Sequence, residues 1–172
     1  MTKAALVIPV HNRRETTLQA LRSLARIDRG GLDVRIFIVD DGSTDGTGEA
    51  ITKNFPAGTN RGIEAALRWE PDYIVAMNDD SVFHEQFLQR LIATAKANPR
   101  SVVGALLLLW DRPHLVFQVA PEWKTLSGGW LIPEDLTAFD KGELPFEVEG
   151  IVGNCVLYPV EAIRENGLMD EK

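Results

Sequence analysis

The residues with the clearest chemical potential in this 172-residue chain are acids in pairs, Asp40-Asp41 and Asp79-Asp80, the second preceded by Asn78, and each pair follows an apolar run. Adjacent carboxylates repel each other and resist desolvation, so a site that holds two of them needs a cation or a donor-rich ligand to balance the charge. For Asp79-Asp80 a hard divalent ion, Mg or Mn, meets that need. Such ions take one or two carboxylates and complete their shell with phosphate oxygens and water, which suits the handling of a diphosphate. The competing reading is that Asp80 or Ser81 caps the following helix. The run Asp41, Ser43, Asp45, Gly46 opens like a calcium loop but fails at the twelfth position, where Thr52 stands in place of the bidentate Glu. Ligand binding and a turn with helix-capping acids both remain open for Asp40-Asp41.

Around these acids stand weaker candidates. His11, beside Pro9 and Asn12, can lay an imidazole against a ligand ring or serve as a turn residue. Arg61, just after Asn60, can reach a phosphate or be solvated. Trp123 and Trp130, in a stretch containing Gly128-Gly129, offer a stacking platform for a sugar or a core clasp. His84-Glu85 begins like a zinc-protease helix, but Leu88 occupies the place of the second histidine, so the pair reads as a helix start. Gly42 to Gly46 lacks the spacing and lysine of a P-loop, and no G-x-G-x-x-G occurs, so neither a P-loop nor a Rossmann dinucleotide site is supported.

The elements that position these residues follow from apolar periodicity. Ala4 to Val10 reads as a buried strand, and Leu18, Leu21, Leu24 and Ala25 recur at helical spacing over Arg14 to Ile27. Asn12 with Glu15 three residues on predicts a capping box at that helix start. Strands follow at Val34 to Val39 and Tyr73 to Met77, and helices at Glu49 to Lys53, Arg61 to Trp69 and around Phe87 to Ala95. Val102 to Trp110 reads as another buried strand, and after a loop-rich stretch Gly150 to Tyr158 precedes a last short helix after Pro159. Alternating strands and helices with short connections predict an α/β layered fold with a mostly parallel sheet. Ligands of such sheets bind beyond the carboxyl ends of the strands, where His11, Asp40-Asp41 and Asn78-Asp79-Asp80 all fall.

Composition narrows the function classes. A content of 45% hydrophobic and 25% charged residues is that of an ordinary globular chain, expected here to form a single domain. Lys plus Arg at 18 against Asp plus Glu at 25 gives a net charge of -7, which disfavours a nucleic-acid partner. One cysteine, Cys155, permits no internal disulfide and fits a reducing compartment. No apolar run approaches the ~20 residues of a membrane span, and the amino terminus carries no signal-peptide pattern, so a cytoplasmic location is expected, with peripheral membrane association left open.

Leu6-Val-Ile-Pro-Val-His-Asn12, Ile36-Phe-Ile-Val-Asp-Asp-Gly-Ser-Thr-Asp-Gly-Thr47, Asn60-Arg-Gly62, Tyr73-Ile-Val-Ala-Met-Asn-Asp-Asp80 and Gly150-Ile-Val-Gly-Asn-Cys-Val-Leu-Tyr-Pro159 together resemble the family 2 glycosyltransferases of GT-A fold, in order and spacing over nearly the whole chain. The resemblance implies one GT-A domain, with residues 1–100 the nucleotide-binding half and 101–172 an incomplete acceptor-side half. It implies inverting, Mg- or Mn-assisted transfer of a sugar from a nucleotide-diphosphate donor to a saccharide or lipid-linked acceptor, as in polysaccharide or glycoconjugate biosynthesis. By motif, Pro9 and His11 would flank the base, Asp40 or Asp41 would accept from its ring NH, and Arg61 would approach donor phosphate. Asp79 would contact the ribose or sugar and Asp80 would hold the metal. The family's acid-x-acid motif here begins with Asn78 in place of an acid. Members continue past the equivalent of Gly167-Leu-Met-Asp-Glu171 into a segment with a Glu-Asp pair that supplies the general base, so Asp170 and Glu171 are not given that role. A nucleotide-sugar binding domain without efficient transfer is the alternative implied. A nucleotidyltransferase ranks below both, because Pro9 to Asn12 lacks the Gly-rich phosphate loop that class requires. The donor base (UDP, dTDP or GDP), the acceptor and the oligomeric state are not fixed by these motifs.

Overall fold

The computed structural model describes residues 1–54, 62–112, 116–118, 122–124, 129–131 and 145–168. The chain opens with β1 (Lys3–Val10), α1 (Arg14–Leu24), β2 (Asp33–Asp40), α2 (Thr47–Asn54), α3 (Gly62–Arg68), β3 (Tyr73–Met77) and α4 (Phe87–Ala97). It continues through the short strands β4 (Val103–Gly104), β5 (Leu107–Leu108), β6 (Val116–Gln118), β7 (Glu122–Lys124) and β8 (Gly129–Leu131), then β9 (Cys155–Pro159) and α5 (Val160–Asn166). The central sheet has the order β2-β1-β3-β9-β4. β1 pairs in parallel with both β2 and β3, while β9 runs antiparallel to β3 and β4, so the sheet is mostly parallel with β9 reversed.

β1 lies in the middle of a layered sandwich, and its sequence shows it. Successive side chains of a strand alternate between faces. Ala4, Leu6, Ile8 and Val10 join Leu21 and Leu24 of α1 and Leu88, Leu91 and Ile92 of α4 in one core cluster. Ala5 and Val7 join Phe37, Ala66 of α3 and Val160 of α5 in the other. Both faces are covered, which is why the strand reads as a continuous apolar run rather than as an alternation. Truncating a fully buried member such as Leu88 to Ala costs about 2–5 kcal/mol.

Two sequence expectations are corrected. Val102 to Trp110 is not one buried strand. β4 pairs with β9 in the central sheet, whereas β5 pairs with β6 in a separate two-stranded sheet, and Leu106, Leu108 and Trp110 are exposed. Ala105 still donates its N–H to the Cys155 carbonyl at 2.9 Å, and beyond it the chain leaves the central sheet. Gly104 marks the departure: a Cβ there would come within 2.4 Å of Ile151 Cγ2. The second correction concerns α1, where Asn12 is not the cap. Arg13 holds the cap position without a side-chain cap bond, and the first helical N–H, that of Arg14, is taken by Asp45 Oδ2 at 3.2 Å. Asp45 lies 31 residues away, so no local pattern announces it.

Candidate functional site

The carboxyl ends of β1, β2 and β3 lie side by side and bring His11, Asp40-Asp41 and Asn78-Asp79-Asp80 to one edge of the sheet. At the end of β1, His11 is exposed and its Nδ1 donates to the Asp41 carbonyl at 2.7 Å, while its Nε2 accepts the Asn12 side-chain amide at 3.0 Å. A carbonyl only accepts, so the proton sits on Nδ1. Asn12 adopts a left-handed conformation, φ 50°, which short amide side chains tolerate. Its backbone N–H reaches Ser43 Oγ at 3.0 Å and its Oδ1 accepts the Thr44 N–H at 2.8 Å. The β1 end is thus laced to the Asp41–Thr47 loop, which turns on Gly42 (φ 72°) and Gly46 (φ 83°).

Within that loop the acids differ. Asp40 is partly buried; its Oδ1 accepts the Ser43 N–H at 2.9 Å and its Oδ2 lies 2.5 Å from where a Cβ on Gly48 would stand. Asp41 is exposed, and its carboxylate makes no hydrogen bond among the described residues. Asp45 completes the loop by accepting the Thr47 hydroxyl and backbone N–H as well as that of Arg14. The Thr47 hydroxyl is the main reason its carboxyl lies below the ordinary 3.8; desolvation opposes it, and the backbone N–H groups of Arg14, Thr47 and Asp45 itself add to the lowering.

At the end of β3 the division is sharper. Asp79 is 4% exposed, with Oδ2 accepting the buried Thr17 hydroxyl at 2.8 Å and Oδ1 facing Arg13 Nη1 at 3.4 Å. The same Arg13 nitrogen reaches Asp80 Oδ2 at 3.0 Å, and both of those side chains are about half exposed, 54% and 43%. The loop beyond is docked on α1 by the Phe83 N–H to Ser23 Oγ at 3.1 Å, and just past α1 by the Asp28 N–H to the Glu85 carbonyl at 2.9 Å. Asn78 donates its backbone N–H to the Asn154 carbonyl at 2.9 Å, which ties the approach to β9 to the same edge. His84 Nδ1 accepts the Gln86 N–H at 3.2 Å at the start of α4, as a helix-start pair should.

Beside Asp80 lies a pocket of about 250 Å³ lined by Thr16, Gln19, Ser81, Val82 and Trp110. Trp110 is 70% exposed, which is unusual for the largest apolar side chain. A larger concavity of about 790 Å³ lies at the opposite strand ends, around Asp72, Lys96 and Glu165, away from the acids. Cys155 begins β9 opposite Met77, and burial pushes its thiol up to about 12, so it supplies no thiolate. Trp123 and Trp130 are register partners across the β7–β8 ladder. Arg61, His114, Asp170 and Glu171 lie outside the described residues.

Residues 5–167 match the family model described as "Glycosyl transferase family 2". The chain belongs to glycosyl transferase family 2. No curated protein matches its sequence. Among solved structures it is similar to the mannosyltransferase PcManGT from Pyrobaculum calidifontis in complex with GDP-Man and Mn2+, with TM-score 0.61 and 15% identity, over 97% of this chain and 47% of that one. It is also similar to S. aureus TarS 1–349 in complex with UDP-GlcNAc (TM-score 0.57) and with UDP (0.59), at 18% identity and over 96% of this chain and 47% and 49% of those, respectively. The chain spans about half the length of these structures, and the fold it shares with them is GT-A.

Two residues of this family 2 domain that hold the acids escaped the sequence reading: Arg13 and Thr17. They stand four apart, Arg13 as the cap residue of α1 and Thr17 in its first turn, and both side chains reach Asp79 at the β3 end. The spacing was present in the sequence, but the partner they face is more than sixty positions away. No group of three or more His, Cys, Asp or Glu able to hold a metal occurs among the described residues. A hard cation here has Asp80 as its accessible carboxylate, and the remaining positions are open to phosphate oxygens and water, which is the ligand set Mg or Mn takes at diphosphate sites. The donor chemistry therefore fits such an ion. No described helix is long and apolar enough to cross a membrane.

Proposed function

We propose that this domain transfers a sugar, with inversion, from a nucleotide-diphosphate sugar to a saccharide or lipid-linked acceptor with the aid of Mg or Mn. The observation that carries the reading is the convergence of an exposed imidazole, His11, and two outward carboxylates, Asp41 and Asp80, on one edge of the sheet, the place where open α/β sheets bind ligands. In this reading residues 1–100 form the nucleotide side. Pro9 and His11 flank the base, and Asp41 accepts from its ring NH while Asp40 holds the loop that presents Asp41. Arg61 approaches the phosphates. Asn78 lines the same edge; Asp79, its oxygens taken by Thr17 and Arg13, positions Asp80 beside the ribose and sugar. A divalent ion held by Asp80 supplies Lewis-acid stabilisation of the leaving diphosphate. The pocket between Asp80 and Trp110 takes the sugar, whose apolar face suits the indole and whose hydroxyls suit Thr16, Gln19 and Ser81. Residues 101–172 form the acceptor side. PcManGT in complex with GDP-Man and Mn2+, and TarS with UDP-GlcNAc, support the donor class.

The test is a thermal-shift panel of UDP, dTDP, GDP, ADP and CMP with and without Mn. A ligand that binds only the folded state stabilises it by about 2.7 kcal/mol at a hundredfold excess over its Kd. A Mn-dependent shift with one diphosphate, lost in Asp80→Asn, is expected. Equal shifts with and without Mn, or none at all, would contradict the reading. Binding without transfer of label to any acceptor would reduce it to donor binding.

A further inference from the structure

The acid pair at the end of β3 already has a cation beside it. One guanidinium nitrogen, Arg13 Nη1, faces Asp79 at 3.4 Å and Asp80 at 3.0 Å, so a single positive charge is shared by two negative ones. The shares are unequal in kind. Asp79 is buried and also held by Thr17, whereas Asp80 and Arg13 are each about half in solvent, so the outer contact is the one that can exchange at small cost. The carboxylate on the outer contact is also the one accessible to a divalent ion.

We infer that Arg13 is the resident counter-ion of the Asp79–Asp80 pair and an internal competitor for the metal position: it gives up Asp80 when a divalent ion arrives and turns its charge to the diphosphate that arrives with that ion. The inference rests on the proposed metal role of Asp80. Its logic is electrostatic. The two carboxylates and Arg13 together carry one net negative charge, too little to hold a bare dication firmly, and the guanidinium repels that dication at close range. A nucleotide diphosphate removes both objections, because its oxygens complete the ion's shell and give the displaced guanidinium a bidentate anionic partner. Metal and nucleotide then bind as a coupled pair, each raising the other's affinity by the same factor. Arg13 is a positioning residue in this scheme, setting the order and coupling of binding.

The measurement is a Mn2+ titration of the free protein, read from the paramagnetic resonance signal of unbound Mn2+, repeated with the diphosphate selected by the thermal-shift panel. Arg13→Gln is expected to bind Mn2+ alone about tenfold more tightly than the unmodified chain, and to lose about tenfold of the enhancement that the diphosphate brings. Arg13→Lys, which keeps the charge, is expected to stay within about threefold of the unmodified chain in Mn2+ alone. Unchanged or weaker Mn2+ binding in Arg13→Gln overturns the inference, and so does equal tightening in Arg13→Lys, because charge would then not be the cause. Should Arg13→Gln fail to fold, the unmodified chain decides: Mn2+ binding that is indifferent to the diphosphate overturns the coupling. Asp80→Asn separates the two levels. If it leaves Mn2+ binding intact, the metal role of Asp80 itself fails; if it abolishes binding while Arg13→Gln does nothing, only the competition fails.

Discussion

The ends of β2 and β3 carry the same device, two adjacent acids, and solve the same electrostatic problem differently. In each pair the first acid turns into the fold and the second faces out: Asp40 is partly buried against the Ser43 N–H and α2, Asp79 is buried against Thr17, and Asp41 and Asp80 are exposed. At β2 neutral donors suffice. Asp40 keeps some solvent, and a backbone N–H at hydrogen-bond distance satisfies the oxygen that faces inward. At β3 the inner acid is nine-tenths buried or more, a neutral hydroxyl does not balance the charge, and Arg13 is drawn in. The lesson is that the depth of the inner acid decides whether the pair draws in a cation and, under the metal role proposed for Asp80, whether that metal meets a competitor.

The comparison breaks most visibly at the buried acid. Asp79→Ala is expected to lower stability by about 3 kcal/mol in urea unfolding, because it leaves the Thr17 hydroxyl unpaired inside the core and frees Arg13. Thr17→Val keeps the shape and removes one donor, and the same measurement should show a loss of about 1.5 kcal/mol. At the β2 end Asp40→Ala is expected to cost about 1 kcal/mol, the worth of one exposed-edge carboxylate bond. Asp45→Asn sharpens the contrast through pH. The Asp45 carboxyl is held below 3.8 in the folded chain, so its contribution is fully present above that value and fades as pH falls through the lower folded value. The stability gap between the parent chain and Asp45→Asn should therefore be larger at pH 6 than at pH 3. Smallest of all, Asp41→Ala should leave unfolding within about 0.5 kcal/mol of the parent.

Much of this was legible in the sequence, for reasons that can be stated. The apolar runs before Asn12, Asp41 and Asn78 mark strands covered on both faces, and the polar residues that end them mark the sheet edge. Even the division within the acid pairs had a signal. Val34, Ile36 and Ile38 pack toward α1 and α4, and Asp40 continues their parity; Val75 and Met77 do the same, and Asp79 follows when the count is read on past the strand. What the sequence did not disclose depends on contacts between distant segments. Arg13 and Thr17 look like ordinary helix residues until the β3 loop is laid against α1, and Asp45 as a cap for α1 lies across a whole βα unit. The stretch from Val102 to Trp110 misled because hydropathy reports burial propensity and not which sheet a strand joins. Past Gly104, where Ile151 leaves no room for a Cβ, and Ala105 the chain leaves the central sheet, and Trp110 stands exposed beside Asp80.

The most direct measurement of the claim that inner acids hold the fold and outer acids hold the ligand is a single melting series on the parent chain, Asp79→Ala, Asp80→Asn and Asp41→Ala, each alone, with Mn, and with Mn plus the selected diphosphate. The expected result is a crossed pattern. Asp79→Ala melts much lower without ligand. Asp80→Asn melts within a few degrees of the parent but loses the Mn-dependent increment, and Asp41→Ala keeps the parent's melting point while losing most of the nucleotide increment. If Asp80→Asn and Asp41→Ala retain the full ligand shifts, or if Asp79→Ala melts with the parent, the division of labour between inner and outer acids is wrong.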